Sequence, residues 1–266
     1  MEHDILDKFI ENAKASVGEG YYDLSDAEVQ SIKVKIIPAS LKRLLEAKFT
    51  LITEIKHASP AGEYSFTHID VAATALAFKE NGADAISVVV EPKIFHGNLK
   101  NITTAKQIAG LPVLFKDFVI SEKQIIAAKA YGADVVLLIV KVATRLNLDL
   151  IHLISVAHSH GLEVLLECYD EDEMKIALAT KADILGINNR DLRTLKVDLN
   201  STENILNKVR ANGLVIDRPI ISESGIVSRA DAEFVKKSGV NGILVGTAIW
   251  KAKNLREKVA ELKIDS

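Results

Sequence analysis

Short apolar runs rich in β-branched residues recur along the chain at residues 51–56, 84–90, 112–116, 134–140, 162–167, 183–188, 219–223 and 242–246, each the length of one strand. Stretches of helical spacing lie between them, among them 71–81, 122–131, 148–159, 171–180, 200–210 and 229–238. The runs do not alternate apolar with polar residues, which is the pattern of parallel strands covered on both faces. Twice the chain leaves a helix and enters a strand through Gly-Ala-Asp, at Gly82-Ala83-Asp84 and Gly132-Ala133-Asp134. Lys181-Ala182-Asp183 and Gly239-Val240-Asn241 are looser echoes. Glycine there supplies a left-handed helix stop before the next strand. Eight strand–helix units in series predict an α/β chain folded as a (β/α)8 (TIM) barrel. An open, doubly wound parallel sheet is the structural alternative.

The barrel is expected over residues 51–266 and an N-terminal helical extension over 1–50, the whole forming a single domain. Residues 5–15 carry the spacing of an amphipathic helix (Ile5, Leu6, Phe9, Ile10, Ala13). Such a helix closes the bottom of the barrel or acts as a lid over its catalytic face, and the pattern alone fits both. With 266 residues, 48% hydrophobic and 26% charged, the chain can bury one large core. A formal charge of −3 and a pI near 6.2 offer no global field for nucleic acid or an anionic membrane. No apolar run reaches membrane-spanning length, and Met1-Glu2-His3-Asp4 is unlike a secretory signal. Cys168 is the only cysteine, so no intrachain disulfide is expected, and a cytoplasmic location is the default. None of the seven histidines has metal-ligand spacing with a second ligand; His152, His158 and His160 fall on or just after a predicted helix.

In a barrel of this kind the residues that close each strand converge on one face, where catalysis is placed. Glu54 and Lys56 stand two apart on strand 1 and should point the same way, into the mouth. Either one alone is also explained as half of a structural ion pair. Lys116 from strand 3 and Glu167 from strand 5 add a second ammonium and a second carboxylate. Two such pairs in a dehydrated mouth can shift one another's acidity and provide an acid and a base near neutrality. After strand 7 comes Glu223-Ser224-Gly225 and after strand 8 Gly246-Thr247, turns whose backbone N–H groups can hold a phosphate. A small phosphorylated substrate is therefore the expected partner.

The strings assembled in this way resemble those of the indole-3-glycerol phosphate synthase family of tryptophan biosynthesis over nearly the whole chain. Glu54-Ile55-Lys56-His57-Ala58-Ser59-Pro60 is similar to its E-x-K-x-x-S-P, Pro112-Val113-Leu114-Phe115-Lys116-Asp117-Phe118 to its P-x-L-x-K-D-F, and Gly186-Ile187-Asn188-Asn189-Arg190-Asp191-Leu192 to its G-I-N-x-R-D-L. Glu223-Ser224-Gly225-Ile226 and Val245-Gly246-Thr247 complete the set. The resemblance implies conversion of 1-(2-carboxyphenylamino)-1-deoxyribulose 5-phosphate to indole-3-glycerol phosphate, carbon dioxide and water, with neither metal nor organic cofactor. It implies Lys116 as general acid, Glu167 as general base aided by Glu54 and Asn188, and Lys56 as a contact to the substrate's anionic groups and a donor in the later dehydration. Phosphate binding would fall to Ser224, Gly225, Gly246 and Thr247, with Ser59 near the mouth. Phe95 and Phe118 would line the aromatic end of the pocket or simply pack in the core. Arg190 and Asp191 would orient the strand-6 loop as an ion pair or stand solvated. Association with other enzymes of the pathway is compatible with the resemblance.

His57, Ala61 and Val90 depart from the residues usual in the family, where another basic residue, a serine and a threonine stand. A phosphoribosylanthranilate isomerase would share the phosphate grip, but its acid and base are a cysteine and an aspartate at strand ends, and here strand 1 offers Glu54 and Lys56. An aldolase with a lysine Schiff base and a non-catalytic phosphate-binding barrel are the other readings. The second would be expected to lose part of the acid–base set, all of which is present.

Overall fold

The computed structural model describes residues 5–25, 37–60, 62–191 and 194–264; Met1–Asp4, Ala61 and Leu192, which entered the sequence reading, lie outside them. Strands β1 (Thr50–Ile55), β2 (Ala85–Val89), β3 (Val113–Lys116), β4 (Val135–Ile139), β5 (Glu163–Cys168), β6 (Ile184–Asn188), β7 (Ile220–Glu223) and β8 (Gly242–Val245) pair in parallel in chain order. β8 returns to β1 with Thr50 opposite Gly242 and Thr53 opposite Val245, closing the sheet and excluding the open alternative. The helices are α1 (Ile5–Gly18), α2 (Leu41–Ala47), α3 (Val71–Glu80), α4 (Lys100–Ala109), α5 (Glu122–Tyr131), α6 (Val140–Leu146), α7 (Leu150–Ser159), α8 (Glu171–Leu178), α9 (Asn200–Ala211), α10 (Arg229–Lys237), α11 (Thr247–Trp250) and α12 (Leu255–Leu262).

Local chemistry sets most of these boundaries. Asp70, Ser121, Asp149 and Asp170 each accept a backbone N–H at the start of the helix that follows, and Ser228 with Asp231 forms a reciprocal capping box on α10. Gly132 ends α5 in the left-handed region (φ 94°). The apolar run at 134–140 differs from expectation: β4 stops at Ile139 and Val140 already opens α6, because a buried run of β-branched residues looks the same in either state.

The aspartates of the Gly-Ala-Asp repeat have a structural task. Asp84, Asp134 and Asp183 accept the backbone N–H of Leu51, Val113 and Val164 at 2.9, 2.8 and 2.9 Å. Asn241 does the same for Ile220 at 3.0 Å, so the two looser echoes are full members of the set. Each clasp sits at the amino end of the barrel, where one strand begins beside the next.

The extension supplies both a floor and a lid, from different helices. α2 forms the floor. Its Leu41 and Leu45 are buried against the barrel interior, Leu41 N and Lys42 N donate to Glu163 Oε2 at 2.9 and 3.0 Å, and Asn241 Nδ2 donates to Leu45 O. The helix predicted at 5–15 is α1, and it lies across the carboxyl ends of the strands. Phe9 stacks on Phe118 (4.6 Å between centroids), and Asp7 pairs with Arg145 at 2.9 Å. Just after the helix, Tyr21 donates to Val90 O at 3.1 Å and Tyr22 to Asp117 Oδ2 at 2.6 Å.

Candidate active site

Side chains on a strand alternate, so every second residue enters the barrel. Ile52, Leu114, Leu165, Ile184, Ile221 and Leu244 point inward, all buried in a single apolar cluster. Two residues further along the same strands stand Glu54, Lys116, Glu167, Gly186, Glu223 and Gly246. One step up the barrel therefore changes its filling from hydrocarbon to charge.

The charges are tightly coupled. Lys56 Nζ lies 3.0 Å from Glu54 Oε1, and Lys116 Nζ lies 3.5 Å from Glu54 Oε2 and 2.6 Å from Glu223 Oε2. Glu54, Glu167 and Glu223 are 3%, 1% and 0% exposed, so these contacts are made almost without water. Two glycines make room for them: a Cβ on Gly186 would meet Glu223 Oε1 at 2.5 Å, and one on Gly246 would meet Glu54 Oε1 at 2.6 Å. Gly246, singled out in the sequence for a phosphate turn, thus also seats a carboxylate.

Burial pushes the Glu54 carboxyl upward, but Lys56 and Lys116 outweigh it and bring it from 4.5 down to about 2. Burial works against the Lys116 ammonium, yet Glu223, Glu54 and Glu167 together hold it protonated far above the ordinary lysine range. Three carboxylates against two ammoniums leave one negative charge in excess. Burial and the neighbouring Glu167 raise Glu223 to about 8 although Lys116 opposes the shift, so a proton held on Glu223 relieves that excess near neutrality.

These two carboxyls act on stability with opposite sign. The raised one, Glu223, stabilises fully below its unfolded value of 4.5 and loses that contribution as pH rises through about 8. The depressed one, Glu54, contributes above 4.5 and loses its contribution as pH falls toward about 2. For these two carboxyls the thermal midpoint should therefore peak near about pH 4.5 and fall from there toward about pH 8, and Glu223→Gln should flatten that alkaline fall. Equal alkaline slopes in variant and parent would rule out Glu223 as its source.

Above this layer opens a cavity of about 330 Å³. Phe9, Phe95 and Phe118 line one part of it and Ser224, Gly225, Gly246 and Thr247 another, with Lys56, Lys116, Glu167, Asn188 and Arg190 also facing the space. Phe95 and Phe118 are therefore both cavity wall and core, since they also pack with Phe9 in the interior cluster. Ser224 and Gly225 both have positive φ (68° and 82°), and a Cβ on Gly225 would sit 2.2 Å from Val197 Cγ1. Glu223 lies behind Lys116 and does not line the cavity. Neither does Ser59, whose hydroxyl donates to the cavity-lining Glu63 at 2.7 Å. Arg190 donates to Leu195 O at 3.0 Å and lies 3.9 Å from Glu63.

Three features of the site escape a reading of the strings. Tyr169 faces the cavity, its hydroxyl donating to Glu167 Oε1 and accepting from Asn188 Nδ2 at 3.2 Å. The two-residue step from Glu167 would have found it, as it found Lys56 from Glu54. Asp117 is buried beneath the aromatic wall and is raised by that burial to about 7, with Tyr22, Phe118 N and Gln124 as its donors. Glu91 ties the strand-2 loop by accepting the backbone N–H groups of Lys93, Ile94 and Phe95 at 2.9, 2.7 and 2.9 Å. His152 and His158 pair with Glu122 and Asp183 at the surface, away from the cavity. Among the described residues no three His, Cys, Asp or Glu side chains are grouped as a metal site, and no helix is long and apolar enough to cross a membrane.

Known proteins bear on this arrangement at two levels. Solved structures of thiamine phosphate pyrophosphorylase from Pyrococcus furiosus (TM-score 0.57, 21% identity, 84% of this chain and 96% of that one) and of N-acetylmannosamine-6-phosphate 2-epimerase from Clostridium perfringens (TM-score 0.58, 14% identity, 80% and 93%) share the fold. Proteins named indole-3-glycerol phosphate synthase from Bacillus mycoides and Bacillus cereus are each 36% identical over 261 residues, 98% of either chain. The profile of the family so described matches residues 6–262. With the expected acid–base residues gathered at the carboxyl end of a closed barrel, the chain belongs to the indole-3-glycerol phosphate synthase family.

Proposed function

We propose that the chain converts 1-(2-carboxyphenylamino)-1-deoxyribulose 5-phosphate to indole-3-glycerol phosphate by ring closure, decarboxylation and dehydration. Lys116 donates its proton to the ketone oxygen as the ring carbon bearing the carboxylate attacks the carbonyl carbon, forming the new C–C bond. Loss of carbon dioxide returns the bonding pair to the ring and restores aromaticity. In the last step the hydroxyl leaves as water with a proton from Lys56, and Glu167 removes the proton from the adjacent ring carbon. Asn188 hydrogen-bonds the reacting groups, and Glu54 pairs with Lys56 and helps keep Lys116 charged.

The observation that carries this reading is that Lys116, held between Glu54 and Glu223, lines the same cavity as Glu167, whose Oε2 is buried and has no hydrogen-bond partner. An acid with a proton to give and a base with an unpartnered oxygen thus line one cavity. A Schiff-base aldolase needs its lysine neutral, and three carboxylates around Lys116 oppose that. The aromatic wall of Phe9, Phe95 and Phe118 suits the substrate's anilino ring. The turns at Ser224–Gly225 and Gly246–Thr247 suit its phosphate, with Ser59 acting through Glu63 and Arg190 lying toward the substrate carboxylate. The helices before β1 work with the barrel as one domain, and the reaction belongs in the cytoplasm, where a lone thiol such as Cys168 stays reduced.

Fluorescence of the indole product, on mixing purified protein with the carboxyphenylamino substrate, tests the proposal. Folded protein that yields no product would refute it. The phosphate turn has its own test in Gly225→Val, which adds side-chain atoms where Val197 already stands and holds a β-branched residue at φ 82°. Displacing N–H groups that bond a phosphate should raise KM about tenfold or more, and an unchanged KM would remove Gly225 from the phosphate site.

A further inference from the structure

We infer that Tyr169 is a positioning residue that sets the direction of Glu167 and Asn188 for proton transfer, its hydroxyl bridging the two side chains. The inference rests on the proposed reaction and extends it to a residue outside the acid–base set. The Tyr169 hydroxyl gives its proton to Glu167 Oε1 and receives one from Asn188 Nδ2 at 3.2 Å. With Oε1 engaged, Oε2 is the only free face of the carboxylate, and it is the oxygen left without a partner. Asn188 is held at its other end as well, where Oδ1 accepts the Arg190 backbone N–H at 3.0 Å. One phenol therefore fixes both the rotation of the base and the amide orientation of its neighbour.

The tyrosine is itself clamped from outside the cavity. Its backbone N–H donates to Glu173 Oε2 at 2.9 Å, and Lys141 Nζ, 3.4 Å from Glu173 Oε1, stands 4.9 Å from the centre of its ring. Lys141 and Glu173 lie on α6 and α8, so two helices hold the ring while its hydroxyl reaches the catalytic layer. Burial and Glu167 keep the phenol protonated, hence a donor to the carboxylate and not a competing base.

Tyr169→Phe keeps the ring and removes only the bridge. It should lower kcat about tenfold with KM little changed, the size of one hydrogen bond to a charged group. The acidic limb of the pH–rate profile should move to higher pH, because the ionised carboxylate loses a donor. In a Glu167→Gln background the same change should add no further loss. Lys141→Met, which frees the ring without touching the cavity, should give the kcat-selective loss in smaller measure. An active parent whose Tyr169→Phe variant retains kcat and pH profile overturns the inference, as does a loss that is fully additive with Glu167→Gln. A parent without activity sinks the proposed reaction instead. Titration of the carbon-13-labelled Glu167 carboxyl, identified by its disappearance in Glu167→Gln, then decides whether Tyr169 governs that group, an unchanged midpoint in Tyr169→Phe overturning it.

Discussion

Lys116→Ala should reduce kcat on the order of 10³-fold while KM stays within a few-fold, the signature of a group that acts in the transition state and hardly in binding. The size follows from what is removed. No proton is then delivered to the ketone oxygen as the ring closes, and Lys56, bound to the opposite oxygen of Glu54, lacks the Glu223 contact that holds Lys116 in place. The fold should survive, because Glu223 without Lys116 can remain neutral in its buried site and Glu54 keeps Lys56. Steady-state kinetics by product fluorescence, with a thermal melt as the folding control, measures this. Turnover near that of the parent would transfer the acid role to Lys56.

Lys106→Met should do the reverse: unfold the protein more easily and leave catalysis alone. Lys106 is paired with Asp134 at 2.6 Å, both side chains being 3% exposed, and the pair lies at the floor of the barrel. Removing the cation strands a buried carboxylate that also accepts the N–H groups of Val113 and Ala39 at 2.8 Å. Breaking one partner of such a pair costs about 3–5 kcal/mol, which a urea titration reads as a lower midpoint. A midpoint equal to the parent's would show that Asp134 is held by its backbone donors alone. The contrast between Lys106, on α4, and Lys116, at the end of β3, separates the two uses of a buried lysine. At the floor it supports the fold; at the mouth it carries a reactive proton.

Much of this was legible in the residue string. Eight apolar runs, helical spacers and the Glu54–Lys56 step gave the barrel and the direction of its catalytic layer, because parallel strands and period-two alternation leave a signature in every unit. The posture of the extension was not legible, since α1 and α2 are both amphipathic and a pattern does not say against what a face is buried. Gly186 reads as part of a motif, and only three dimensions show that it yields its volume to the Glu223 carboxylate. Tyr169 and Asp117 escaped for a related reason: each matters through one oxygen atom and its partners on other elements. Ser59 was legible as a residue but not as a contact, since its hydroxyl turns to Glu63.

The clasps at the barrel floor divide the molecule in a way its closed sheet conceals. Asp84 fastens β1 to β2, Asp134 β3 to β4, Asp183 β5 to β6 and Asn241 β7 to β8. Every fastening is thus completed inside a stretch of two strands and the helical segment between them. New termini opened in the loops between these pairs would spare all four, whereas a break within a pair would separate a carboxylate or amide from the amide proton it holds. The barrel is continuous in its hydrogen-bonded wall, yet its rim is sewn in quarters.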